Sequence, residues 1–237
     1  MDQRNGALFW LRWTLANGFG EAVGLSAVLL AGFGVLGPRL AELTGAWPAA
    51  LALVAGILLG LFEGVVVGWA QWIVLRIRLP ELPLSTWLLA TVIGAMVAWG
   101  LGMLPSTLLS AGAGSDQAAA EMPELLTYAM AAGMGAVAGI VLALAQWIAL
   151  RGQGSQVNRA GLWLPANALA WLCGMPLIFL GMGFLPVDSG VLQAIPIVLA
   201  ATATAGLVVG AIHGFVLVKV MLLIHLPIQP STPVRYP

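Results

Sequence analysis

Two glutamates inside otherwise apolar stretches are the side chains of this chain best suited to chemistry. Glu63 lies in GLFEGVVVGWAQWIVLR, residues 60–76, and Glu21 lies in the first apolar stretch. A charged group at the bilayer centre costs about 2.5–3.5 kcal/mol on insertion scales. No Lys or Arg lies at the same predicted depth, so the two carboxyl groups are expected to share one proton. The alternative is that both are protonated and hydrogen-bonded in a packed core, or that Glu21 lies higher and contacts water.

A single histidine falls within a predicted span, and it defines a second candidate site. One imidazole at His213 could ligate a chlorophyll-type magnesium or a five-coordinate haem, each as a single bound pigment or cofactor. A haem held by two imidazoles would need a second histidine at depth, and His225 falls at the end of the last span. The alternative for His213 is a hydrogen-bonded core residue.

Five neutral polar residues lie at similar depths near one end of the predicted helices. Side-chain amides and hydroxyls inside a membrane bundle form interhelical hydrogen bonds worth about 0.6–2 kcal/mol. We therefore expect Gln–Asn and Gln–Thr bonds between neighbouring helices, with a ligand site as the alternative. The five residues are Asn17, Gln71, Thr91, Gln146 and Asn167.

The composition identifies the solvent that these helices face. Of the 237 residues, 61% are hydrophobic and 8% are charged, whereas soluble proteins carry about 25% charged residues. The lipid bilayer is therefore the expected partner of the surface. The formal net charge is zero, which does not favour binding to nucleic acid. The single cysteine excludes an internal disulfide bond.

The sequence predicts an all-α polytopic membrane protein with six transmembrane helices. A span needs about 20 mostly apolar residues. We expect one membrane domain over residues 1–226 and a disordered, proline-rich tail over residues 227–237. The predicted spans are 8–36, 49–75, 85–109, 125–150, 161–184 and 192–223.

The positive residues predict the orientation. Eight of the nine Lys and Arg residues fall on the side that carries both termini, so both termini are predicted to be cytoplasmic. Six tryptophans are predicted at the same interface, where an amphipathic ring is favoured. These are Trp10, Trp13, Trp72, Trp87, Trp147 and Trp163, whereas Trp69, Trp99 and Trp171 are expected only to pack.

Two frames recur along the chain. The frame G-x3-G-x6-Q-W-I-x-L-R occupies residues 60–76 and 135–151, and the frame W-x-x-A-N/T begins at Trp13, Trp87 and Trp163. The unit is thus a two-helix hairpin, present three times over residues 8–80, 81–155 and 156–226. Three parallel hairpins predict a pseudo-threefold bundle. The third copy has no Gln-Trp, and either Leu217 or His213 takes the glutamine position.

Glycines recur every fourth residue on two of the helices. Small residues let helix backbones approach closely, so we expect packing stripes; the alternative is a groove for a flat ligand. The stripes are Gly56, Gly60, Gly64 and Gly68, and Gly206, Gly210 and Gly214.

The doubled frame with its Gln-Trp-x-x-Leu-Arg element resembles a group of polytopic bacterial membrane proteins that is frequent in cyanobacteria and their relatives. The resemblance covers about residues 10–220. It implies a multi-pass protein of the bacterial inner membrane, and the group brings no activity or site residues with it.

Two functions are compatible with these features. A small transporter or channel would use Glu21 and Glu63 as a proton- or cation-responsive site on the bundle axis. A non-enzymatic scaffold would instead bind lipid, pigment, a membrane protein partner or further copies of itself. An enzyme is not expected, because H-E-x-x-H, G-x-S-x-G, a pair of Asp motifs and a His-rich cluster are all lacking.

Overall fold

The computed structural model describes residues 3–43, 47–112, 123–186 and 190–222, so the predicted tail at 227–237 lies outside the described residues. The regular structure of this part is helical, apart from one isolated antiparallel bridge between Val157 and Leu222. The helices are α1 (Gln3–Ala31), α2 (Gly37–Ala41), α3 (Trp47–Leu75), α4 (Leu84–Gly112), α5 (Glu124–Arg151), α6 (Trp163–Met182) and α7 (Val191–Val216). One π-helical turn joins α1 to α2 (Gly32–Leu36) and another follows α7 (Leu217–Met221).

Six helical runs are long and apolar enough to cross a membrane, as judged by length and composition. The predicted all-α protein with six membrane helices is thereby confirmed. Large apolar side chains such as Leu89, Val137 and Ile148 are exposed on the outside of the bundle, as expected where lipid is the solvent. The runs are Asn5–Ala41, Trp47–Leu75, Leu84–Leu104, Glu124–Arg151, Ala160–Met182 and Val191–Met221.

The first span is longer than the sequence predicts. The break was expected to begin at Gly37, but residues 37–41 form the short helix α2. Pro38 lies in the first turn of α2. A proline is tolerated there because the first N–H groups of a helix have no intrahelical acceptor.

The six long helices form a closed ring in chain order. Each packs on its neighbours in the sequence, and α7 closes the ring against α1. The most extensive pairings are α3 with α4, α5 with α6, and α7 with α1. The closest packing thus joins the second helix of each predicted hairpin to the first helix of the next.

Glycines at the helix contacts, from the two stripes and from α5, explain why these three pairings are so close. A Cβ atom on Gly64 would lie 2.7 Å from the Cα atom of Val92, and one on Gly206 would lie 2.7 Å from the carbonyl oxygen of Asn17. A Cβ atom on Gly139 would clash with the carbonyl of Asn167. Other stripe glycines face side chains, such as Trp99 at Gly60 and Thr91 at Gly68, so the neighbouring helices occupy the space beside both stripes.

One end of the bundle gathers helix ends and positive charge, and we refer to it as the basic end. Arg78, which follows α3, donates to the carbonyl of Asn5 at the start of α1, and its guanidinium lies 5.7 Å from the ring of Phe9. The Val157–Leu222 bridge joins the loop after α5 to the end of the π-helical turn after α7. Arg76, Arg78, Arg151, Arg159 and Lys219 belong to these segments, whereas Arg39 lies in α2 after the opposite end of α1.

Candidate functional site

A small polar chamber lies on the axis of the ring. Its volume is about 20 Å³, which is room for about one water molecule. Side chains from all six long helices line it, and all eight polar residues singled out from the sequence are among them. These are Asn17, Glu21, Glu63, Gln71, Thr91, Gln146, Asn167 and His213.

The two glutamates share this chamber, although α1 and α3 present them differently. Both side chains are buried, with exposed fractions of 2% for Glu21 and 7% for Glu63. Glu63 Oε2 accepts a hydrogen bond of 2.6 Å from Trp99 Nε1, whereas Glu21 Oε2 has no partner among the described residues. Both carboxyl-bearing side chains line the same chamber. The chamber thus contains one carboxyl group that accepts a hydrogen bond and one whose Oε2 has no hydrogen-bond partner among the described residues.

The amide side chains, together with the Thr91 hydroxyl, form a hydrogen-bond network across four helices, α1, α3, α4 and α5. Gln71 Nε2 donates to Asn17 Oδ1 at 2.9 Å, and Gln146 Nε2 donates to Thr91 Oγ1 at 3.0 Å. These are the two interhelical contacts expected from the sequence. Gln146 Nε2 also lies 3.2 Å from Gln71 Oε1, so the two glutamines meet near the axis.

Asn167 departs from the expected pattern. Its Nδ2 donates to the carbonyl of Trp163 on its own helix, and it forms no interhelical hydrogen bond with the described residues. Asn17 and Thr91 bond in the same way to the carbonyls four residues earlier. The expectation was wrong for Asn167, whose amide N–H groups bond within α6 and to no neighbouring helix among the described residues.

His213 is a hydrogen-bonded core residue. Its Nδ1 accepts from Trp13 Nε1 at 2.9 Å, so the proton of this neutral imidazole is assigned to Nε2. The rings of Trp13 and Trp163 lie 5.6 and 5.1 Å from the imidazole, and His213 is 1% exposed. These contacts agree with the core-residue interpretation of His213 and disfavour the alternative of a haem or pigment ligand, because Nδ1 accepts from Trp13 and the adjoining chamber has room for about one water molecule.

His213 and Gln146 make similar contacts with a tryptophan. His213 accepts from Trp13 as Gln146 Oε1 accepts from Trp163, at 2.9 and 3.0 Å. Leu217, one turn later, is fully buried like Leu150. If the third hairpin is a copy of the others, these contacts favour His213 over Leu217 as the counterpart of Gln146.

Between the chamber and the basic end lies a layer that we name the seal. It consists of Trp13, Trp87, Trp163, Leu75, Leu150 and Leu217, all 0% exposed. Trp13 and Trp87 pack on Trp163 edge to face, with centroid distances of 6.1 and 6.4 Å. These three tryptophans were expected at the lipid interface, and that expectation was wrong because their rings turn towards the axis.

The half-buried tryptophans lie nearer to the surface. The guanidinium of Arg76 lies 5.1 Å from the ring centroid of Trp72, and that of Arg151 lies 5.6 Å from the ring centroid of Trp147. On the other side of the chamber a second apolar cluster includes Leu25, Ile178 and Val198. Apolar layers thus flank the chamber on both sides.

Sequence reasoning missed the role of Trp99, which was expected only to pack. A signal for it exists, because Thr91, Ala95 and Trp99 recur every four residues and therefore share one face of α4. Thr91 and Ala95 line the chamber, and Trp99 reaches Glu63 from the same face.

Comparison with family models, with curated proteins and with solved structures finds no match for this chain. Its class therefore rests on its own fold and site: an all-helical membrane protein in which six helices surround a small polar chamber.

Proposed function

We propose that this protein is a small transporter or gated channel for protons or small cations, with the axial chamber as its binding site. One observation carries the proposal. Two buried carboxyl groups, Glu21 and Glu63, share a chamber the size of a water molecule, and Glu21 Oε2 has no partner among the described residues. A buried acidic group inside a membrane is costly and is a mark of ion or proton pathways.

The lining of the chamber supports three tandem hairpins around a pseudo-threefold axis, over residues 8–80, 81–155 and 156–226. Twelve of the lining residues form four sets in which one member comes from each hairpin. Within this lining the carboxyl groups come only from the first hairpin, so the site would be an addition to one copy of a repeated scaffold. The sets are Asn17, Thr91 and Asn167; Glu21, Ala95 and Trp171; Val67, Leu142 and Val209; and Gln71, Gln146 and His213.

The layers around the chamber favour a gated mechanism over an open pore. The seal is fully buried on one side, and the cluster of Leu25, Ile178 and Val198 lies on the other. An ion would cross only when one layer opens, which is the behaviour of alternating access. The tilting of one hairpin against the others would supply this motion.

The positive residues of the basic end favour a cytoplasmic location for that end and for both termini. The membrane would then be the bacterial inner membrane, with the seal between the chamber and the cytoplasm. The proposal assigns no enzymatic activity.

Flux in reconstituted liposomes tests the proposal. The purified protein should dissipate an imposed proton or Na⁺ gradient, as followed by a pH-sensitive or Na⁺-sensitive dye. Glu63→Gln should lower the flux to that of empty liposomes, while size-exclusion and circular dichroism profiles stay unchanged. Glu81→Gln, at an exposed position between α3 and α4, is the matched control and should retain the flux. Full flux in Glu63→Gln, or none in the unmodified protein, would overturn the proposal.

A second candidate function is a scaffold, and an external groove between α1 and α3 favours lipid as its ligand. The groove has a volume of about 450 Å³ and is lined mainly by apolar side chains, including Leu15, Phe19 and Trp69, together with Arg12. A phospholipid could place its chain on the apolar surface and its phosphate against the guanidinium. Native mass spectrometry should then detect a retained phospholipid that Arg12→Gln loses. A partner protein or a second copy would instead appear as added protein mass.

A further inference from the structure

We propose that the chamber binds one dehydrated monovalent cation of about the size of Na⁺ in exchange for one proton, with Glu63 as the charged ligand. This inference rests on the proposed function and names the ion class for the same site. It is argued from the charges that line the chamber, from its oxygen atoms and from its volume.

The two carboxyl groups differ in the hydrogen bonds that they accept. Trp99 Nε1 donates to Glu63 Oε2 at 2.6 Å, and a short bond of this kind favours an ionised acceptor. Glu21 Oε2 has no donor among the described residues, so the shared proton is better placed on Glu21. With Glu63 ionised and Glu21 protonated, the pair carries one negative charge.

No other group that lines the chamber balances this charge. Its titratable lining residues are Glu21 on α1, Glu63 on α3 and His213 on α7, while α4, α5 and α6 contribute none. His213 is held neutral by the bond that its Nδ1 accepts from Trp13. One positive charge is therefore needed, and either a second proton or a monovalent cation supplies it. A cation that enters displaces this second proton, so one charge enters, one leaves, and the chamber stays neutral.

The size and the oxygen atoms of the chamber favour a small monovalent ion. The carboxyl groups of Glu21 and Glu63 supply oxygen ligands, and Asn167 adds an Oδ1 that accepts no hydrogen bond from the described residues. A volume of about 20 Å³ leaves no room for the water shell that Mg²⁺ retains. Ca²⁺ is close to Na⁺ in size, so the single negative charge of the pair, and not the volume, disfavours a divalent ion. K⁺ is about as large as a water molecule and would fill the whole chamber, whereas Na⁺ is smaller.

The assignment predicts opposite results for two isosteric substitutions. Glu63→Gln removes the negative charge and should abolish cation binding. Glu21→Gln replaces a protonated carboxyl by a neutral amide of the same shape, so cation binding should persist. Trp99→Phe removes the donor to the ionised acceptor and should weaken binding by about ten- to a hundredfold.

Binding to the purified full-length protein in detergent tests the inference without any need for transport. The midpoint of thermal unfolding is measured in NaCl, LiCl, KCl, CaCl₂ and choline chloride at equal ionic strength. In parallel, NaCl is added to a weakly buffered sample with a pH dye. We expect Na⁺ to raise the midpoint above its value in choline and to release one proton per chain. Glu21→Gln and the control Glu81→Gln should keep the Na⁺-dependent shift, and Glu63→Gln should lose it.

Several results would overturn the inference. These are the absence of any Na⁺-specific shift, a larger shift with CaCl₂ than with NaCl, or equal loss of the shift in Glu21→Gln and Glu63→Gln. If Glu63→Gln does not fold, the graded loss in Trp99→Phe carries the test, and unchanged Na⁺ affinity there would contradict it. Proton flux without Na⁺ binding would refute this inference alone, whereas Na⁺ binding without flux would refute the transport proposal alone.

Discussion

The seal and the chamber lie next to each other on the same axis, but the seal is a packed aromatic and aliphatic layer and the chamber is a small cavity with polar residues in its lining. The seal is fully buried, and its edge-to-face aromatic contacts close one side of the bundle. The chamber is lined by polar residues and leaves a glutamate oxygen unsatisfied. Where the three predicted hairpins contribute similar residues, the axis is packed and stable. Where they differ, as at Glu21, Ala95 and Trp171, a site can form.

The same contrast recurs within the seal, at the three tryptophan N–H groups. Trp13 donates to His213 and Trp163 donates to Gln146, but Trp87 Nε1 is buried without a partner among the described residues. Gln71, the residue in the corresponding position, has its Oε1 next to the donor of Gln146. The three tryptophans of the seal therefore differ in their hydrogen bonds, just as the residues that line the chamber differ in charge.

The largest expected effect is the loss of packing in the seal. Leu150→Ala removes a fully buried side chain and should lower the free energy of unfolding by about 2–5 kcal/mol. Leu169→Ala is the matched control, because Leu169 is 54% exposed on the outside of α6, and its effect should stay within about 0.5 kcal/mol. Reversible unfolding in mixed micelles measures both variants. Equal losses would show that the seal does not carry the stability of the bundle.

An intermediate effect is expected at the position where the seal meets the chamber. His213→Ala leaves Trp13 Nε1 buried without its acceptor and should cost about 1–3 kcal/mol. His213→Gln introduces the residue type found at Gln71 and Gln146. Its Oε1 can accept from Trp13, so this substitution should cost about 1 kcal/mol or less. The same unfolding assay compares them. If glutamine were no better than alanine, the equivalence of His213 with Gln146 would be lost.

The smallest effect concerns a single hydrogen bond. Trp87→Phe and Trp163→Phe remove similar volumes, but only Trp163 loses a bond and leaves Gln146 Oε1 without its donor. Trp163→Phe should therefore be less stable than Trp87→Phe by about 0.5–1.5 kcal/mol, the net contribution of a single hydrogen bond. Thermal unfolding of the two variants side by side gives the difference. A more damaging Trp87→Phe would mean that its N–H has a partner, such as a water molecule.

Much of the architecture could be predicted because it depends on local composition. Long apolar runs separated by turn residues predict six helices, and the four-residue spacing of Gly60 and Gly64 predicts close helix packing. The matching depths of Asn17 and Gln71 predict their hydrogen bond, since depth follows from residue number along a helix.

The contacts around the axis could not be predicted in the same way. The rotation of each helix decides whether Trp87 faces lipid or the axis, and a tryptophan is acceptable in both places. The meeting of Trp99 with Glu63 depends on the closure of α4 against α3, and the register of α7 depends on its fit against α1.

The sequence by itself therefore determined that the chain is a six-helix membrane protein with two acidic residues in apolar surroundings, because insertion into lipid depends on the composition of each segment. Only the tertiary structure decided that these acids share one chamber with His213, that the chamber holds about one water molecule, and that tryptophans close it on one side. These features depend on how six helices rotate and pack together, and that is a property of the whole ring.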